Sequence, residues 1–82
     1  LNKTTVALFP NPAGNSLTIA TNAAAGSKVV FVNLLGQAVK TIAITSKEQR
    51  VDVSDLKNGV YVYELLNREG VRENSGRIVI NK

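Results

Sequence analysis

Few side chains in this 82-residue sequence have the chemical reach for catalysis or ligand binding: Ser16, Ser46, Ser54, Ser75, Asp52, Asp55, Tyr61 and Tyr63 stand out. A serine becomes a nucleophile when a neighbouring base takes its proton. With no histidine and no cysteine, neither a Ser-His-Asp nor a Cys-His arrangement can be assembled. The serines are therefore read as turn and strand-end residues. The same two absences remove the preferred ligands of transition metals. Asp52 and Asp55 could offer oxygens to a weak calcium site, but their spacing fits no EF-hand loop, so capping is the expected role. The glycines form neither GxGxxG nor a P-loop. Tyr61 and Tyr63 could line a sugar site; two apart on an alternating strand, they more simply fill the core with their hydroxyls at its edge. Asn2-Lys3-Thr4 fits the N-glycosylation acceptor pattern, which is common by chance. No catalytic residue, metal site or cofactor site is predicted.

The elements that position these residues must come from one small domain. A chain of this length buries only about 60% of the surface its unfolded form exposes, and without cysteine no disulfide supplements the core. The longest apolar run is far below the roughly 20 residues a membrane-spanning helix needs. No signal peptide opens the sequence, and it starts at Leu1, so it reads as the tail of a longer protein whose export signal lies upstream. Net charge is +4, from ten basic and six acidic residues, with no basic block of the kind that forms a nucleic-acid arm. Two Phe and two Tyr, none alternating with Lys or Arg, make no single-strand stacking platform.

Nearly every apolar segment is short, rich in Val, Ile and Thr, and bounded by Gly, Asn, Pro or Ser, while no window sustains a helical stripe. Strands are predicted over 5–8, 16–21, 28–33, 38–44, 49–53, 60–67 and 77–81, which makes a two-sheet sandwich. Period-two alternation places Leu17 and Ile19 inward with Thr18 outward, and Tyr61, Tyr63 and Leu65 inward with Glu64 outward. Val60 and Val62 are then left partly exposed or under a loop. Ile78 and Ile80 should face the core opposite Arg77 and Asn81. The third strand is ambiguous because Val29, Val30, Phe31 and Val32 are all apolar; Val29 and Phe31 are taken as inward, and a one-residue slip would invert that.

Turn chemistry punctuates these strands. Pro10 and Pro12 fix φ and remove two donors, forcing a corner that Asn11 can cap. Asn33 can accept from nearby backbone N–H groups while Gly36 supplies positive φ. Asn58-Gly59 is a strong turn dipeptide after the capping groups of Asp52, Ser54 and Asp55, with Leu56 as anchor. Ala23-Ala24-Ala25-Gly26 reads as a loop tip, Arg68-Glu69-Gly70 as a turn, and Asn74-Ser75-Gly76 as a mobile lead-in to the last strand.

Taken in order over roughly Val6 to Lys82, these motifs resemble the type A C-terminal sorting domain of the bacterial type IX secretion system. Pro10-Asn11-Pro12 followed by Leu17-x-Ile19 is similar to its opening motif. Asn33, Gly36 and Gln37 match its second turn, where Asp and Arg are frequent. Leu56, Gly59 and Tyr61 match its Leu-x-x-Gly-x-Tyr element, and Arg77, Ile78, Val79, Ile80, Asn81 and Lys82 its basic, apolar final strand. Arg72 and Arg77 stand where lysines are often seen.

The resemblance implies an all-β, Ig-like sandwich of about seven short antiparallel strands, one domain over 1–82, with 1–5 as the end of a linker from an upstream cargo domain. It implies a Bacteroidetes-type host, a sorting signal rather than an enzyme, and export through the periplasm and outer membrane to the cell surface or medium. The implied partners are the outer-membrane translocon, its shuttle protein and a surface sortase that cuts near the N-terminal border. For recognition, a final strand lying at a sheet edge would offer unpaired backbone groups for strand addition, with Arg77 and Lys82 selecting an acidic receptor. Replacing both cations by glutamate should then spare folding. The same edge could pair with a second copy as a homodimer. The rival reading is an Ig-like or fibronectin-like accessory module that binds carbohydrate or spaces other domains.

Overall fold

The computed structural model describes residues 3–82, so Leu1 and the glycosylation-pattern Asn2 lie outside the described residues. Seven strands form: β1 (Val6–Phe9), β2 (Ser16–Thr21), β3 (Lys28–Val32), β4 (Ala38–Ala43), β5 (Glu48–Asp52), β6 (Gly59–Leu66) and β7 (Arg72–Ile80). They make a three-stranded sheet, β1-β2-β5, and a four-stranded sheet, β4-β3-β6-β7, with every paired neighbour antiparallel. In the constant-type immunoglobulin arrangement the fourth strand joins the sheet of the first and second. Here it stays beside β3, because the Asn33–Gln37 turn closes a hairpin between them.

The inward faces are those the alternation predicts. Leu17, Ile19, Val29, Phe31, Leu65, Ile78 and Ile80 are buried between the sheets, as are Val51, Val53, Leu56 and Tyr61. Glu64 is half-buried, while Val60 and Val62 are exposed on the opposite face. The four-stranded sheet ends at β4, where the register pairs Lys40 with the inward-facing Phe31. Lys40 therefore points to the core side, where its ammonium meets Asp55 at 3.2 Å. A charge aimed inward from an edge strand discourages pairing with another chain.

The final strand begins at Arg72, five residues before the expected Arg77. Asn74, Ser75 and Gly76 are small and polar, but they pair in register with Leu65, Glu64 and Tyr63 of β6. Gly76 is needed there because the Tyr63 ring lies across it: a Cβ on Gly76 would stand 2.7 Å from Tyr63 Cε2. A glycine that reads locally as a loop is thus the seat of an aromatic ring from the neighbouring strand. Gly76→Ala is expected to destabilise the fold by about 1–3 kcal/mol, the usual range for overpacking, in a urea titration.

Candidate functional site

The topology brings the sequence motifs to one end of the sandwich. Residues 10–15, 33–37 and 53–58 are the loops at that end, and β7 finishes there at Asn81 and Lys82. Residues 3–5, 22–27, 44–47 and 67–71 lie at the other end.

Asn33 closes its turn with one side chain. Its Oδ1 accepts from the N–H groups of Leu35 and Gln37, both at 3.0 Å, and its Nδ2 donates to Gln37 Oε1. The Gly36 N–H donates to the Asn33 carbonyl, with Gly36 at φ +83. At the other end the hairpin between β6 and β7 repeats the bonds to Oδ1 and to the asparagine carbonyl, while the Asn67 Nδ2 donates instead to Glu73 Oε2. Asn67 Oδ1 accepts from Glu69 and Val71, both at 3.0 Å; the Gly70 N–H donates to the Asn67 carbonyl, and Gly70 has φ +81. Sequence reasoning named the Arg68-Glu69-Gly70 turn but missed Asn67. The shared Asn-x-x-Gly spacing would have shown it.

The Leu56, Gly59 and Tyr61 element is a braced loop. Leu56 is buried, and its N–H donates to the Val53 carbonyl. The Tyr61 ring is buried, and its hydroxyl reaches back to the Lys57 carbonyl at 2.6 Å, fixing the chain as it enters β6. Lys82 closes the loop from outside. Its ammonium donates to the carbonyls of Ser54 and Leu56, and its N–H to Asn58 Oδ1. The two aspartates have separate duties here, Asp55 in the ion pair with Lys40 and Asp52 accepting from the Ser54 N–H at 2.8 Å.

Pro10, Asn11 and Pro12 run along the outer side of β7. Asn11 Nδ2 donates to the Arg77 carbonyl at 3.1 Å, and its Oδ1 accepts from the Val79 N–H at 3.0 Å. Buried Ala13 continues the pairing: its N–H donates to the Val79 carbonyl and its own carbonyl accepts from Asn81, each at 2.8 Å. The final strand is at a sheet edge, as the recognition scheme required. However, the outer side of residues 77–81 is already occupied by this strap, so strand addition there would have to displace it.

The two basic residues therefore differ. The Arg77 side chain is exposed and makes no ion pair among the described residues. The Lys82 ammonium is committed to backbone carbonyls. Lys82→Glu would set a carboxylate against those carbonyls, so the expectation that paired glutamates at 77 and 82 spare folding is corrected.

Two outcomes follow from this geometry. Asn11→Ala should lower stability by about 1 kcal/mol and speed amide exchange at Val79 more than at the β3 amides. The hydroxyl and N–H of Ser54 hold the Asp52 carboxyl below its ordinary value of 3.8. A carboxylate depressed in the folded state stabilises above its unfolded pKa, and that contribution is lost as pH falls through the folded value. Asp52→Asn should accordingly flatten the acid side of the stability profile below about pH 4, followed by urea midpoints at stepped pH.

The family described as secretion system C-terminal sorting domain matches residues 7–81. Beta-agarase A of Zobellia galactanivorans is 31% identical over 64 residues, which are 77% of this chain and 12% of that protein. The chain thus spans about an eighth of the length of this relative. No solved structure matches the chain. With the family matched over nearly every described residue, the chain belongs to the secretion system C-terminal sorting domains and directs an attached upstream protein through type IX secretion to the cell surface or medium.

Proposed function

We propose that this domain is read in the folded state by the outer-membrane translocon and its shuttle protein, and that a surface sortase then separates it from its cargo near residues 1–5. The family match over residues 7–81 carries this reading. The geometry supports a division of labour. Pro10, Asn11, Pro12, Asn33, Gly36, Gln37, Leu56, Gly59 and Tyr61 maintain the fold, and Arg77 is the exposed cation at the end of β7 that a carboxylate-bearing receptor can meet. Side chains rather than free backbone groups are offered, because the strap occupies the outer side of residues 77–81. The domain is an address and, in the sortase reaction, the part of the substrate that is cut away; it supplies no catalytic group to that step. A homodimer through edge pairing has less scope than the sequence suggests, since β4 carries inward Lys40 and β7 is strapped.

Residues 1–82 fused behind a fluorescent reporter with an export signal should reach the cell surface or medium in a host that has the secretion machinery. In an isogenic host lacking it, they should remain in the periplasm. Periplasmic retention in both hosts would instead favour an accessory module that binds carbohydrate or spaces domains.

A further inference from the structure

The two outer faces of the sandwich differ in chemistry. On the three-stranded sheet the outward positions of β2 and β5 are Ser16, Thr18, Ala20, Glu48, Arg50 and Asp52, mostly polar, with Arg50 donating to Ser16 Oγ; Phe9 of β1, in register with Thr18, is the one large exposed apolar side chain described on that face. On the four-stranded sheet the residues that alternate with the core positions include Val30 and Val32 of β3, Val60 and Val62 of β6, and Val79 of β7, with Lys28 and Glu64 on the same face towards the end away from the Asn33–Gln37 turn. The register sets them side by side: Val32 pairs with Val62 and Val60 with Val79. Val60 and Val62 are 36% and 37% exposed, and Leu34 and Leu35, at the hairpin tip just beyond Val32, are 76% and 84% exposed. This is one contiguous apolar ladder ending in an apolar tip, not a scatter of single residues.

Charge identifies what fits it. Val62 pairs with Arg77, which is exposed and makes no ion pair among the described residues. Glu64, the acidic residue on this face of β6, is neutralised by Arg72 at 3.5 Å. The apolar ladder therefore has a cationic border. A second copy of the chain would bring Arg77 towards another cationic border, and the domain as a whole carries +4. A surface with an apolar centre and carboxylates at its rim meets both requirements.

We propose that the valine face of the four-stranded sheet, bordered by Arg77 and tipped by Leu34 and Leu35, is the docking surface for a receptor protein that presents an apolar patch ringed by carboxylates. The inference rests on the sorting reading and assigns receptor contact to residues outside most of the motif. The motif residues hold this face in register, and the face supplies the contact area.

The test uses the reporter fusion in the secretion-competent host. Delivery of the unmodified fusion establishes the sorting reading independently. Val62→Lys should then reduce delivered reporter at least tenfold, and Arg77→Glu several-fold. Thr18→Lys, on the outer face of the three-stranded sheet, should leave delivery unchanged. Val60→Thr with Val62→Thr, which keeps shape and strand propensity, guards against misfolding: with the urea midpoint of the purified 82-residue chain retained, delivery should still fall. Normal delivery of this folded double variant overturns the proposal while leaving the sorting role intact. So does sedimentation showing a dimer that Val62→Lys dissociates, since the face would then be a self-contact.

Discussion

The strap from Asn11 to Ala13 is the contact on which the rest of this fold depends. A domain of 82 residues without cysteine has one thin core, and beyond apolar packing and connecting loops its two sheets are tied by few polar contacts, among them Asn74 Nδ2 donating to the Thr4 carbonyl. Asn11 and Ala13 leave the first sheet and bond to the outer side of β7, so backbone pairing runs from one layer into the other. The two prolines suit this path, since a chain alongside an edge has no second ladder to supply. With that edge taken, Ile78 and Ile80 stay on the core side, and the end of β7 is carried to where Lys82 can reach the loop at Ser54 and Leu56.

The motif residues are consequently architectural. Asn33 closes a hairpin, Tyr61 braces the entrance to β6, Asn11 covers an edge and Lys82 clamps a loop. Each meets backbone polar groups at places where strands end and regular pairing stops, which is where a small sandwich is most exposed to fraying. Such contacts hold the fold whose family the match over residues 7–81 shows. Receptor contact can rest on other surfaces.

Much of this was legible in the sequence, and the failures have physical causes. The alternation of Leu17, Thr18 and Ile19 reports one wet face and one dry one, and the structure has it so. The run from Val29 to Val32 could not be resolved by alternation because both faces of β3 are apolar, so period two vanishes there. Asn74, Ser75 and Gly76 looked like a loop because what places them in a strand is the Tyr63 ring across the sheet. Lys82 looked like a free cation because its carbonyl partners are 26 and 28 positions away in sequence. Asn67 falls at the end of a strand by alternation, and its turn role shows only in its spacing to Gly70, which repeats that of Asn33 to Gly36.

The placement of the two ends of the chain has a consequence for cargo. Lys3 and Thr4 are held near Asn22 and Asn74 at one end, while Asn81 and Lys82 finish at the other, in a body 37 Å in its longest dimension. A passenger joined ahead of Lys3 therefore hangs off one tip, with the motif loops at the far tip. The attachment point and the motif loops are separated by the length of the body, so the bulk of a passenger does not press on the turn, brace and strap contacts that hold the sandwich together.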